Sequence, residues 1–166
     1  MTKPKRIIIV GHMGAGKSLL AKTLAKKLKW QYVDSNIGLE RYMGRRMHEI
    51  IGKQGEEAFH QFEAEILDYY HNKENIVLVL EDGVVDTEKN RKLLSKEFVI
   101  YLKVNTSTQL ERMSGGIPSV FPIANQHIFL DELHNARDQL FEKVSTMVID
   151  SQSVDEDVKS ILDKIN

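Results

Sequence analysis

The stretch GHMGAGKS, Gly11–Ser18, decides the fold. It fits the pattern G-x-x-x-x-G-K-[ST] and lies between a short apolar run, RIIIV at Arg6–Val10, and an amphipathic pattern over Lys17–Leu28. Glycines let the backbone curl until successive N–H groups point at phosphate oxygens. The start of the following helix adds partial positive charge. Lys17 has the reach for the β- and γ-phosphates of a nucleotide, and the Ser18 hydroxyl suits Mg²⁺. The predicted nucleotide-binding set is therefore Gly11, Met13, Gly14, Ala15, Gly16, Lys17, Ser18 and Leu19.

Outward from this loop, short apolar runs alternate with longer helical patterns. Strands are predicted at Arg6–Val10, Gln31–Asp34, Ile76–Leu80, Phe98–Lys103 and Thr146–Asp150. Helices are predicted at Lys17–Leu28, across Ile37–Tyr70 in two or three pieces, and at Thr87–Leu94, Ser107–Met113, Gln126–Phe141 and Asp155–Ile165. This alternation predicts an α/β domain, a parallel sheet with helices on both faces. Runs such as IIIV and VLVL are apolar without alternation, as strands covered on both faces are. The stretch SGGIPSVFPIAN, Ser114–Asn125, has no periodicity and carries two of the three prolines, so it predicts a lid-like loop.

The 166 residues are expected to form one domain, 1–166. A net charge of −1 gives no field to recruit nucleic acid or an anionic membrane. The lysines of KTLAKKLK read as a solvated helix face, because no aromatic residues interleave them. The absence of cysteine excludes disulfides, thiolate metal sites and a cysteine nucleophile, and fits a reducing compartment. The opening apolar run is too short for a signal core or a membrane span, so a cytoplasmic monomer is expected. Among the six histidines no pair has helical zinc-site spacing and HExxH is absent, so no structural metal is expected. His12, inside the phosphate loop, points either to solvent or to phosphate or acceptor.

Two acidic strand ends bear on the chemistry. Asp34 closes QYVD, and ligands gather at strand carboxyl ends in open α/β sheets. It reads as a magnesium-associated acid if its strand lies beside the first, or as a helix cap. The other strand end is VLVLED. Glu81 and Asp82 there either supplement the metal, contact an acceptor hydroxyl or a cation, or form a solvated helix entry.

The loop GHMGAGKS, the acidic segment after the second strand, MGRRMHEIIGKQGEEAFHQFE and RDQLFEKVS together resemble shikimate kinases. The resemblance runs from Ile7 to about Asp150. It implies a three-layer P-loop NTPase fold with a five-stranded parallel sheet and a short lid. It also implies transfer of the ATP γ-phosphoryl group to a hydroxyl, with ATP and Mg²⁺ as cofactors and a small-molecule acceptor as partner. Lys17 and Asp34 take the catalytic positions, Ser18 and Asp34 the metal positions, and Arg112 the place of the arginine near the adenine.

The acceptor half departs from the family. Arg137 matches one of two arginines that hold the shikimate carboxylate, but His60 stands at the other. Glu63 matches the acid that supports that second arginine. Asn36 replaces an acid that contacts the ring hydroxyls, and Glu81-Asp82-Gly83 replaces a glycine triplet. Phe121 stands at the lid arginine, and Ser114–Asn125 contains neither Arg nor Lys. The substrate-binding set is thus Asn36, His60, Glu81, Asp82, Gly83 and Arg137, with shikimate a poor acceptor unless Arg45 or Arg46 supplies the missing cation. The alternative is a nucleotide-binding, non-catalytic regulatory protein, or a slow NTPase, on the same fold.

Overall fold

In a computed structural model, residues 3–35, 53–113 and 123–166 are described, with 53–59 and 123–125 as backbone only. Five strands, β1 (Arg6–Val10), β2 (Gln31–Asp34), β3 (Ile76–Val79), β4 (Val99–Lys103) and β5 (Met147–Asp150), form one parallel sheet in the order β2-β3-β1-β4-β5. The helices are α1 (Lys17–Leu28), α2 (Lys53–Tyr70), α3 (Glu88–Leu94), α4 (Thr106–Arg112), α5 (Ile123–Val144) and α6 (Val154–Ile165), with a 3₁₀ helix at Asp82–Asp86.

Side chains alternate across the sheet and both faces are buried. Ile7, Ile9, Val77, Val79, Ile100 and Leu102 pack with Leu20 and Leu24 of α1 and Ile161 of α6. On the opposite face Ile8, Val10, Leu78, Val99 and Tyr101 pack with Leu67 of α2, Leu94 of α3 and Phe141 of α5. The central strands therefore read as unbroken apolar runs because neither face meets water. Short polar caps set the helix entries. Thr87 accepts from the Asn90 N–H, Asn105 from Thr108 and Ser153 from Glu156.

Two expectations need correction. Asp34 was placed facing the phosphates on the condition that its strand neighbours β1, yet β3 lies between β2 and β1. Helix α5 begins at Ile123, inside the expected loop Ser114–Asn125, and runs on to Val144. The prolines of that stretch were read as loop signals, but a proline is tolerated in the first turn of a helix and so does not by itself exclude one. After β3, Glu81 and Asp82 stand half-buried at the start of a 3₁₀ turn that buries Gly83, Val84 and Val85. Asn36, Arg45, Arg46, Phe121 and the lid residues 114–122 lie outside the described residues.

Candidate active site

The loop Gly11–Ser18 leaves β1 at the carboxyl edge of the sheet, where strand order reverses between β3 and β4. Its glycines answer to local geometry. A Cβ on Gly11 would lie 2.7 Å from the Leu102 carbonyl oxygen, so β4 leaves no space for a side chain. Gly16 caps α1 with φ 93°, a left-handed conformation natural to glycine. Gln109 donates to the Met13 carbonyl at 2.8 Å, and Arg112 donates to the Ala15 carbonyl at 2.7 Å. The loop is thus clamped from α4.

Lys17 Nζ donates to the carbonyls of Gly11 at 2.7 Å and His12 at 3.0 Å. Burial lowers its pKa, while the carboxylates of Asp82, Glu81 and Asp34 act to raise it. Ser18 Oγ donates to Asp34 Oδ2 at 2.9 Å, and the Tyr32 hydroxyl donates to the same oxygen at 2.8 Å. Burial, reinforced by that bond, pushes the Tyr32 pKa up to about 12, so the phenol remains a donor. Asp34 therefore reaches Ser18 although β2 is not adjacent to β1. Ser18 and Asp34 offer hard oxygen donors side by side, a set that fits Mg²⁺.

Beside the loop lies a cavity of about 440 Å³ bordered by Gly14, Ala15, Gly16, Leu19, Arg112 and Gln152. Leu19 is exposed there. Arg112 bridges its rim, donating to Ser151 Oγ at 2.9 Å and to the Gln152 carbonyl at 2.8 Å. Arg112 thereby joins the phosphate loop to the β5–α6 turn. The predicted nucleotide residues converge on this one edge.

The second cluster forms around the 3₁₀ turn. Arg137 of α5 grips Asp86 with both Nε at 2.9 Å and Nη2 at 2.8 Å, and its Nη1 meets Asp82 at 2.9 Å. All three contacts are charge-assisted, and the Asp86 pair is the bidentate fork that Arg otherwise offers to a ligand carboxylate. A Cβ on Gly83 would lie 3.4 Å from Arg137 Nη2 and 3.8 Å from His60 Cε1, so the turn, α2 and α5 meet there. His60 Nδ1 lies 2.8 Å from Glu63 Oε1. Asp86 was missed in the sequence, because its partner Arg137 lies 51 positions away. Its detectable signal was its place four residues past Asp82 on the turn that carries the acceptor residues.

Glu63 is fully buried and its Oε2 has no hydrogen-bond partner. Burial, then the charges of Glu81, Asp86 and Asp82, push its pKa from the ordinary 4.5 up to about 9. Between those values the unfolded chain releases a proton that the folded chain keeps. The Glu63 contribution to stability is therefore complete below about pH 4.5 and is lost as pH rises toward about 9. The slope approaches about 1.4 kcal/mol per pH unit. Glu63→Gln is expected to flatten that loss, leaving the variant more stable than the parent at pH 8 and little changed at pH 4. Urea unfolding at a series of pH values checks this, and an unaltered slope in the variant would contradict it.

Comparison with known proteins agrees with this geometry. The family model described as shikimate kinase matches residues 13–166. A shikimate kinase from Francisella tularensis subsp. novicida is 32% identical over 169 residues, covering 100% of this chain and 95% of its own length. The solved shikimate kinase of Acinetobacter baumannii in complex with shikimate has a TM-score of 0.85 at 27% identity, covering 98% of this chain and 93% of that one. The Bacteroides thetaiotaomicron shikimate kinase shares the fold with a TM-score of 0.87 at 20% identity, covering 96% and 97%. A phosphate loop clamped by α4, an acid beside Ser18 and a family match over almost the whole length lead to one conclusion: this chain belongs to the shikimate kinase family.

Proposed function

We propose that this chain is a Mg-ATP-dependent kinase whose acceptor is a small hydroxyl metabolite without a carboxylate for Arg137, so that shikimate is a poor substrate. Family membership supports an ATP-dependent small-molecule kinase. The observation that carries the finer reading is the commitment of Arg137 to Asp86 and Asp82. A guanidinium already saturated by two carboxylates has little left for a third.

In this reading the loop N–H groups and Lys17 orient the phosphates. Ser18 and Asp34 hold Mg²⁺, which when bound neutralises charge on the transferring group. Asp34 also accepts from Tyr32, which fixes the carboxylate beside Ser18. Glu63, His60 and the turn Glu81–Asp82–Gly83 form the acceptor wall. Glu63 stays protonated there near neutral pH, so its carboxyl adds no charge of its own. The wall remains rich in carboxylates, which favours neutral or cationic acceptors over acids.

We further propose a cytoplasmic monomer acting on small molecules, without nucleic acid or membrane. No described helix is long and apolar enough to cross a membrane. A second reading, a nucleotide-binding regulator or slow NTPase, is favoured by one observation. The segment Ser114–Asn125 contains no Arg or Lys, whereas an arginine finger is worth about 10³–10⁵ in rate. Coupled detection of ADP release with and without neutral polyols and amino alcohols tests the proposal. Acceptor-dependent release supports the kinase, acceptor-independent release the NTPase, and none the regulator.

A further inference from the structure

We propose that His12, His134 and Asp138 form a binding site for a divalent transition-metal ion of the zinc type, distinct from the Ser18–Asp34 pair. His12 belongs to the phosphate loop and is fully buried. His134 and Asp138 stand one turn apart on α5, so both face the loop. His12 Nε2 lies 2.5 Å from Asp138 Oδ1, and His134 Nδ1 lies 2.9 Å from Oδ1 and 3.1 Å from Oδ2. One ligand atom from each residue falls within 4.8 Å of the others, and the two imidazole centroids are 4.0 Å apart.

The placement of protons shows why a cation belongs there. Gln109 Nε2 lies 2.8 Å from the Met13 carbonyl, which only accepts, so that end of the amide is the NH₂. Gln109 Oε1 therefore faces His134 Nε2, at 2.5 Å, and that nitrogen carries the hydrogen. In a neutral His134 the remaining nitrogen, Nδ1, then aims a lone pair at both oxygens of Asp138. Two acceptors at 2.9 Å require positive charge between them, either a second proton or a metal ion. Burial lowers the His12 pKa, against the hydrogen bond to Asp138 that acts to raise it, and its Nδ1 is buried without a hydrogen-bond partner. Burial opposes ionisation of Asp138, but hydrogen bonds from His12 and His134 outweigh it and hold its carboxyl below the ordinary value.

Two imidazole nitrogens and one carboxylate oxygen suit Zn²⁺, Co²⁺ or Ni²⁺ and are foreign to Mg²⁺. A metal at this position takes the lone pairs of His134 Nδ1 and His12 Nε2: His134 releases its second proton to solvent, and the His12 proton moves from Nε2 to Nδ1. Outer contacts orient two of the three ligands, Gln109 on His134 and the Tyr101 hydroxyl on Asp138 at 3.2 Å. A cavity of about 450 Å³ bordered by His134, Asp138, Asn105 and Thr106 offers entry and space for a water ligand. Lys103, which also borders it, is paired with Glu142 at 3.4 Å. The site is coupled to the nucleotide loop directly, because Lys17 Nζ donates to the His12 carbonyl.

The test is titration of the EDTA-treated full chain with Co²⁺, followed through its visible d–d absorption, with Zn²⁺ as competitor. One equivalent of Co²⁺ is expected to develop strong tetrahedral-type bands that Zn²⁺ removes. His134→Asn and Asp138→Asn are each expected to weaken binding about tenfold or more. His127→Asn, in the exposed His127–Asp131 pair, is expected to leave it unchanged. Circular dichroism shows whether each variant is folded. If both loss variants unfold, ¹⁵N NMR of the parent histidines with Zn²⁺ decides instead: a His134 ring that keeps both N–H protons overturns the proposal. Absence of the bands, or binding that survives in folded His134→Asn and Asp138→Asn, overturns it equally.

Discussion

Shikimate at submillimolar concentration is expected to leave ADP release from Mg-ATP far below the about 1–100 s⁻¹ common for kinases. The first cause is a missing cation. By the family resemblance His60 stands where a second carboxylate-binding arginine is expected, and an imidazole offers no planar bidentate fork. Losing one member of a buried charge-assisted contact costs about 2–5 kcal/mol, or roughly 30- to several thousand-fold in affinity. The second cause is internal competition. Asp86 holds Arg137 through two nitrogens and Asp82 through the third, so a substrate carboxylate has to displace a carboxylate already in position. The third is local charge from Glu81, Asp82 and Asp86, which already acts on Glu63. Reversal follows the same logic. Glu81→Gly, Asp82→Gly, Asp86→Ala and His60→Arg combined are expected to restore measurable shikimate binding by calorimetry. Turnover of the parent chain with shikimate in the several-per-second range would contradict this account of the acceptor site.

Mg-ATP or Mg-ADP is expected to raise the melting temperature, and Lys17→Ala to abolish most of the rise. At about a hundred times the dissociation constant, linkage contributes about 2.7 kcal/mol, which for a chain of this size is roughly 5–10 °C. Lys17 is the group to remove because its ammonium is held at the loop by two carbonyls and faces three carboxylates. Without it the loop N–H groups remain but the acids beside them repel a polyphosphate. Thermal denaturation of both proteins with millimolar nucleotide checks this. A flat response of the parent to both nucleotides would contradict it.

The centre of the sheet was legible in the sequence because β1, β3 and β4 are buried on both faces and thus appear as apolar runs. The phosphate loop was legible because its conformation demands glycine at fixed spacing, as Gly11 and Gly16 illustrate. Ser18 and Asp34 were each read as magnesium positions, Asp34 on the condition that β2 adjoins β1; the two side chains meet although β3 lies between those strands. Spacing along the chain carries no information on which strand intervenes. The role of Asp86 was missed for a similar reason. Its partner Arg137 lies 51 positions away, and only packing of α5 against the 3₁₀ turn brings them together. The His12, His134 and Asp138 cluster also escaped, since a search for paired histidines on one helix passes over a histidine and an aspartate that meet a loop.

Phosphoryl transfer to an acceptor without a carboxylate is the central claim, and ³¹P NMR of Mg-ATP with the full chain reads it directly. The acceptor panel contains neutral polyols, amino alcohols and hydroxy acids including shikimate, with a reaction lacking acceptor beside them. A phosphomonoester resonance accompanied by ADP, with a neutral or amino-bearing acceptor and not with shikimate, is the predicted result. A phosphomonoester formed efficiently from shikimate, or no phosphomonoester from any acceptor while the nucleotide is bound, would contradict it.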